Sequence, residues 1–273
     1  MTRYLVVPQW QGSPSSRAMQ LIDGAQAIAG DLPRAATTVL EVPAEAGESL
    51  GTGVHRLSSL LRIREQIADA IAPHVEPVLT VGGDCGVALA AVAHAAARAP
   101  GLAVVWLDAH ADFNAPESTP SGAFSGMVLR AIVGDGAPGL TIDAGVVPAE
   151  RVVIAGARSF DGAELDAIAE RGIRSLTVDA LRDPDALAEA VRATGATSVY
   201  VHVDVDVLDP AELSGNAHPE PFGLSVGELT TALARLRAAV PLAGASLAGY
   251  SPSSPASATD DLGALLRVIG ALA

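Results

Sequence analysis

The sequence predicts a three-layer α/β/α protein with a mostly parallel central sheet, on three observations. Short apolar runs alternate with longer amphipathic stretches along the whole chain, the pattern of repeated βα units. The apolar runs are continuous rather than alternating, as strands covered on both faces should be. Hydrophobic residues make up 49% of the 273 residues but aromatics only 3%. The core must therefore be packed with Ala, Val, Leu and Ile, which suits a buried sheet under Ala-rich helices.

The elements follow in order. Apolar runs at Tyr4–Val7 and Thr38–Val42 read as the first two strands, and Leu57–Ile71 as the first helix. Val78–Val81 leads through a glycine-rich turn into a helix over Val87–Arg98. Ala103–Leu107 and Val152–Ala155 are further strands, and Gly162–Arg171 a helix. Ser175–Val178 is a strand. The helix over Asp185–Ala193 opens on Asp183-Pro184. After the strand Ser198–Val203, the helix Val226–Ala238 is announced by Ser225 with Glu228 at the capping-box position. Ala245–Leu247 and Asp260–Leu272 complete the series. Segments rich in Pro, Ser and Gly at Asn114–Ala123, Gly134–Ala149, Asp209–Gly223 and Tyr250–Ala258 read as loops. Three of them directly follow a strand's C-terminal end, where open α/β sheets place their sites. No repeat or linker divides the chain, so one domain over 1–273 is expected.

Composition narrows the function. The net charge of −14 excludes nucleic acid and anionic membrane surfaces as partners, since a phosphate-binding face needs clustered basic residues. Cys85 is the single cysteine, so no intrachain disulfide forms. The first residues contain too short an apolar run for a secretory signal, and no unbroken apolar stretch is long enough to span a membrane. A cytoplasmic enzyme is the simplest setting.

Three segments carry chemistry. In VVWLDAHADFN an apolar strand runs into Asp108, His110 and Asp112 at every second position. If the extended shape persists past the strand, these side chains share one face, and carboxylate with imidazole suits Mn²⁺, Fe²⁺ or Zn²⁺. In VHVDVDVLDP, Asp204 and Asp206 repeat the pattern; two carboxylates there without a counter-ion would be costly. Asp209 reads as a turn residue, and His202, deeper in the strand, as a hydrogen-bonded core histidine. In GGDCG, Asp84 reads as a helix cap or a support for a ligand. Cys85 reads as a soft metal ligand, a nucleophile or a buried small residue, the last being the default from sequence.

Together these segments resemble the arginase/agmatinase/formiminoglutamase (ureohydrolase) family, whose motifs GGDH, DAHxDxN and DxDxxDP occur in the same order and spacing. The resemblance spans Val78 to about Tyr250 and implies an arginase-like fold. In that family the motifs hold two Mn²⁺ ions bridged by a hydroxide, which attacks a guanidinium carbon and releases urea. By position, one ion would be held by Cys85, Asp108, Asp112 and Asp204. The other would be held by His110, Asp108, Asp204 and Asp206. The loop NAPESTPSG matches in length the family's substrate loop and places Asn114 and Ser121 as substrate contacts or ordinary turn residues. GARSFD places Asp161 against the substrate's amino group or as a helix cap. The family also implies a homo-oligomer, a trimer or hexamer, acting on a small molecule.

Three departures from the family pattern stand out. Cys85 replaces a histidine ligand, and a thiolate draws the site towards Zn²⁺ or Fe²⁺. Ser125 in SGAFSGM stands where the family has its proton-shuttle histidine, and a serine hydroxyl does not titrate near neutral pH. Gly249 in AGYSP stands where the family has a guanidinium-anchoring glutamate. His218, in GNAHPEPFGLS, reads as a replacement proton carrier or as a surface loop histidine, and Glu220 as a weaker cation-binding candidate. His55, His74 and His94 read as solvated or core residues. The expected function is a dinuclear metal hydrolase of a linear C–N bond in a small guanidino or amidino compound, with arginine itself disfavoured. The alternatives are an inactive ureohydrolase-like binding protein and, ranked lower, a metal-free cysteine amidinohydrolase using Cys85.

Overall fold

The computed structural model describes residues 2–273. The apolar runs become eight strands: β1 (Arg3–Val7), β2 (Thr37–Val39), β3 (Val78–Gly82), β4 (Leu102–Leu107), β5 (Val152–Ala155), β6 (Arg174–Leu176), β7 (Ser198–Asp204) and β8 (Leu242–Ala248). They form one sheet in the order β2-β1-β3-β8-β7-β4-β5-β6, and every pairing is parallel.

Among the described residues nine α-helices cover the sheet: α1 (Gln20–Asp31), α2 (Leu57–Ile71), α3 (Ala88–Arg98), α4 (Val128–Ile132), α5 (Gly162–Glu170), α6 (Val178–Leu181), α7 (Ala186–Arg192), α8 (Val226–Ala239) and α9 (Pro255–Leu272). Alternation along each strand divides the core in two. Val105, Leu107, Val201, Val203 and Leu247 face a layer built from α1, α6, α7, α8 and α9. Val104, Trp106, Tyr200 and Ala248 face α2, α3, α4 and α5. The three-layer α/β/α reading therefore holds, with an entirely parallel sheet.

The differences from expectation lie at the sheet edges and at helix starts. β2 stops at Val39 rather than Val42 and β6 at Leu176 rather than Val178. Each edge strand has one neighbour to pair with, and β2 is already half exposed. α1, α4 and the single turn α6 lie outside the helices that the sequence predicts. α1 buries Leu21, Ala25 and Ile28 at helical spacing, but Met19 precedes it without a side-chain cap, so no start signal marks it. α9 begins at Pro255 rather than Asp260, because Ser254 caps it by accepting from Ser257 N; the preceding loop shortens to match. Among the described residues no helix is long and apolar enough to cross a membrane.

Candidate metal centre

The four strands at the middle of the sheet, β3, β8, β7 and β4, end side by side, and their C-terminal ends carry Cys85, Gly249, Asp204 with Asp206, and Asp108 with His110 and Asp112. These residues line one cavity of about 150 Å³. Four neighbouring strand ends thus deliver residues far apart in sequence to one point, the crevice position expected of an open parallel sheet.

The convergence comes from turns rather than from continued extension. β4 ends at Leu107, and His110 N donates to Asp108 Oδ1 at 2.6 Å, bending the chain. Asp112 then takes a left-handed backbone, φ 52°. The expected alternation of Asp108, His110 and Asp112 along an extended chain is therefore not how they meet. β7 likewise ends at Asp204 and enters a 3-10 turn, Val205–Val207, capped by Asp204 Oδ1 accepting from Asp206 N at 2.9 Å.

The ligand-type atoms gather in two clusters whose members lie within 4.8 Å of one another. Cys85, Asp108, His202 and Asp204 form one, and Asp108, His110 and Asp206 the other, with Asp108 common to both. Cys85 Sγ donates to Asp204 Oδ2 at 2.9 Å. His110 Nδ1 lies 2.9 Å from Asp206 Oδ2 and 3.4 Å from Asp108 Oδ1, and Ala109 N donates to Asp206 Oδ1. Asp112 lines the same cavity outside both clusters, its Oδ2 buried without a partner.

Crowded, buried carboxylates resist ionisation. Burial, then the neighbouring Asp206, pushes Asp204 up to about 7; burial, then Asp108, pushes Asp206 up to about 6. Burial and the Asp108 charge raise Asp112 as well. Burial works against a charged His110, yet its hydrogen bonds to Asp108 and Asp206 outweigh it and push the imidazole up to about 12. Burial, then the Asp204, Asp112 and Asp108 charges, push the Cys85 thiol up. A thiol so disfavoured as thiolate is a poor free nucleophile, which weighs against a metal-free cysteine mechanism.

The remaining residues singled out in the sequence surround this centre. Asn114, Ser121, Ser125, Asp161 and His218 line the cavity. Asn114 Nδ2 donates to Asp161 Oδ2 at 2.8 Å, and Asn114 Oδ1 is buried without a partner. Asp161 also stands at the N-cap of α5, the helix-cap reading. Ser121 Oγ accepts from Ala123 N, a turn contact. His218 sits edge-on to His110 with ring centroids 6.2 Å apart, and its Nε2 is buried without a partner. Glu220 stands outside the cavity lining at the rim, its Oε1 3.8 Å from His110 Nε2. Asp84 accepts from Gly86 N, Gly12 N and Gln9 Nε2, the capping role. His74 and His94 meet each other, His94 Nε2 lying 3.2 Å from the His74 carbonyl, and neither they nor His55 line the cavity.

Two residues escaped the sequence reading. Buried Glu164 accepts from Phe113 N and Asp161 N at 2.8 and 2.9 Å, fixing the loop between Asp112 and Asn114 onto α5. Arg158 donates to the carbonyls of Asp206, Glu220, Pro221 and Gly156, tying the His218 loop to the strand ends. Glu164 carried a signal as the capping-box partner three residues after Asp161. The role of Arg158 depends chiefly on carbonyls far along the chain, those of Asp206, Glu220 and Pro221, and nothing local announces it.

Buried acids beside unpartnered Asp112 Oδ2 and His202 Nε2 are a donor set that fits divalent cations, which would remove the cost of gathering these charges. The model of the arginase family matches residues 16–269 of the chain. An arginase of Bacillus caldovelox is 32% identical over 234 residues, covering 82% of this chain and 76% of the relative. The crystal structure of Entamoeba histolytica arginase in complex with L-ornithine superposes with a TM-score of 0.87 at 22% identity, covering 99% of this chain and 97% of that one. That of a proclavaminate amidino hydrolase from Streptomyces clavuligerus gives 0.75 at 23% identity, covering 99% and 89%. The motif order, the parallel sheet and the acids gathered at its centre share one origin: this chain belongs to the arginase family.

Proposed function

We propose that this protein is a dinuclear metal hydrolase that cleaves a linear C–N bond in a small guanidino or amidino compound. The observation that carries the reading is the pair of ligand clusters sharing Asp108. Asp108, His110, Asp112, Asp204, Asp206 and Cys85 are the side chains that would hold two divalent ions. Mn²⁺ suits the oxygen and imidazole donors, while Cys85 draws its half towards Zn²⁺ or Fe²⁺. When bound, such a pair activates water as the nucleophile near neutral pH.

The chain's own groups then divide the remaining work. Asn114, with one amide oxygen free, and Asp161 beside it orient the polar end of the substrate, with Ser121 at the loop tip. Glu220, at the rim near His110, faces the cationic end. His218 lines the cavity with a free nitrogen, and burial lowers its pKa against the pull of Asp206. It is therefore neutral at pH 7 and able to accept a proton and return it to the leaving nitrogen. Ser125 contributes a hydroxyl to the same wall and hydrogen-bonds the leaving group without titrating. An inactive binding protein, the alternative raised by Ser125 and Gly249, is disfavoured by the retained acid cluster.

The test is to load the protein with Mn²⁺ or Zn²⁺ and to assay urea and ammonia release from guanidino and amidino compounds, L-arginine included. Turnover of at least one compound is expected, and His218→Ala should slow it by ~10²–10⁴. No turnover on any compound with two ions bound overturns the proposal.

A further inference from the structure

His202 belongs to none of the metal-ligand positions that the family motifs supply, yet it is the best-prepared imidazole in the protein. It lies on β7 two residues before Asp204, so both side chains leave the same face of the sheet. It is fully buried. Its ring stacks on Trp106, the residue paired with it across β4, at 3.7 Å between centroids and 22° between planes. Its Nδ1 lies 2.7 Å from Oγ of Ser246, its register partner on β8. Its Nε2 has no hydrogen-bond partner.

A buried imidazole nitrogen without a partner requires an explanation. Both neighbours fix the ring, and with Ser246 Oγ accepting from Nδ1–H the tautomer leaves a lone pair on Nε2. A metal-ligating histidine ordinarily has this arrangement, one nitrogen held by an acceptor and the other bare. A ring nitrogen of His202 lies within 4.8 Å of ligand atoms of Cys85, Asp108 and Asp204, so the imidazole stands beside a thiol and two carboxylates.

We propose that His202 is a metal ligand, and that this chain has moved the imidazole of one half-site from the end of β3, where Cys85 now stands, to the floor of the site on β7. This rests on the metal-centre reading above and deepens it. Cys85, His202, Asp108 and Asp204 form a sulfur–nitrogen–oxygen set that suits Zn²⁺ or Fe²⁺, and Asp108, His110 and Asp206 a harder set that suits Mn²⁺. The two half-sites therefore differ in metal preference. On binding, an ion takes the place of the Cys85 thiol proton, which passes to solvent.

The probe is Co²⁺ alone, followed by competition with Zn²⁺. The wild-type protein should bind two ions, one of them with a near-ultraviolet thiolate-to-cobalt absorption band. His202→Phe keeps the aromatic stack on Trp106 and removes the nitrogen. It should weaken the ion that carries the band at least ~10-fold, while the other ion is retained. Ser246→Ala, which removes the group that orients the ring, should weaken the same ion ~10–100-fold and serves where His202→Phe fails to fold. Two ions bound with unchanged affinity and an unchanged band in these variants overturn the assignment of His202 alone. A wild-type protein that binds no Co²⁺ or Zn²⁺ overturns both this assignment and the hydrolase proposal.

Discussion

Gly249 directly follows β8 with φ 86°, and a Cβ added there would stand 2.1 Å from Asp204 Oδ1. Only glycine takes that backbone without strain, and only glycine leaves Asp204 where it is. The missing glutamate is therefore tied to the packing of the metal site itself. Asp204 occupies the space in which a side chain from position 249 would begin. Grafting the family residue back, Gly249→Glu, should not restore arginine specificity. Gly249→Ala alone should destabilise the fold by ~1–3 kcal/mol through its backbone and weaken metal binding by displacing Asp204. Thermal unfolding and a Co²⁺ titration check this, and unchanged values for both would refute it. The same reasoning applies at Asp112, whose left-handed backbone aims a carboxylate that an extended chain would carry elsewhere.

At the scale of elements, the site is built from strand ends held by loops, and the loops are held by a few buried polar groups. The loop carrying His218 and Glu220 is fastened on one side by Arg158, through the carbonyls of Glu220 and Pro221. On the other side buried Asp261 of α9 accepts from Ser214 N, Ser214 Oγ and Gly215 N. Removing Arg158 leaves several carbonyls without their charged donor, and hydrogen bonds to charged groups are worth about 1.5–3 kcal/mol each. Arg158→Ala should therefore lower stability by about 3 kcal/mol and speed proteolysis within the 209–223 loop, with kcat falling more than metal affinity. Limited proteolysis beside a metal titration separates this from damage to the centre, and a loop equally resistant in the variant would count against the clamp. The four central strands were legible in the sequence because burial on both faces leaves an uninterrupted apolar run. The acids at their ends were legible because charged residues there break that run. What was hidden is long-range or conformational: the turns that bring Asp108, His110 and Asp112 together, the Arg158 clamp, and the free nitrogen of His202. An imidazole inside a strand reads as core until the neighbouring strands reveal which of its atoms lack partners.

Over the whole molecule, the central sheet gathers acids that the metal-free protein holds only at a cost, and that cost depends on pH. The folded state raises Asp204 to about 7 and Asp206 and Asp84 to about 6 from the ordinary 3.8. A carboxyl with a raised folded pKa contributes stability that is fully present below its unfolded value and is lost as pH rises through the folded value. The window from these groups thus opens near 3.8 and closes near 7. His110, raised from 6.5 to about 12, adds a decline of the same sign above 6.5. Exposed carboxyls act oppositely: backbone hydrogen bonds lower Glu45, Glu76 and Asp209, so their contribution fades only in stronger acid. In a chelator, Tm should therefore be highest near about pH 5 and fall by about pH 8. Divalent ions compete with these protons and bind the deprotonated cluster, so the gain in Tm from saturating Mn²⁺ should be larger at about pH 8 than at about pH 5. Asp206→Asn removes one of the titrating carboxyls and should flatten the metal-free decline while reducing the gain from metal. Calorimetry of both proteins at both pH values, with and without Mn²⁺, decides the matter. A metal-free Tm that climbs between about pH 5 and pH 8 would mean that the acids are already neutralised within the fold, leaving no charge for a cation pair to offset.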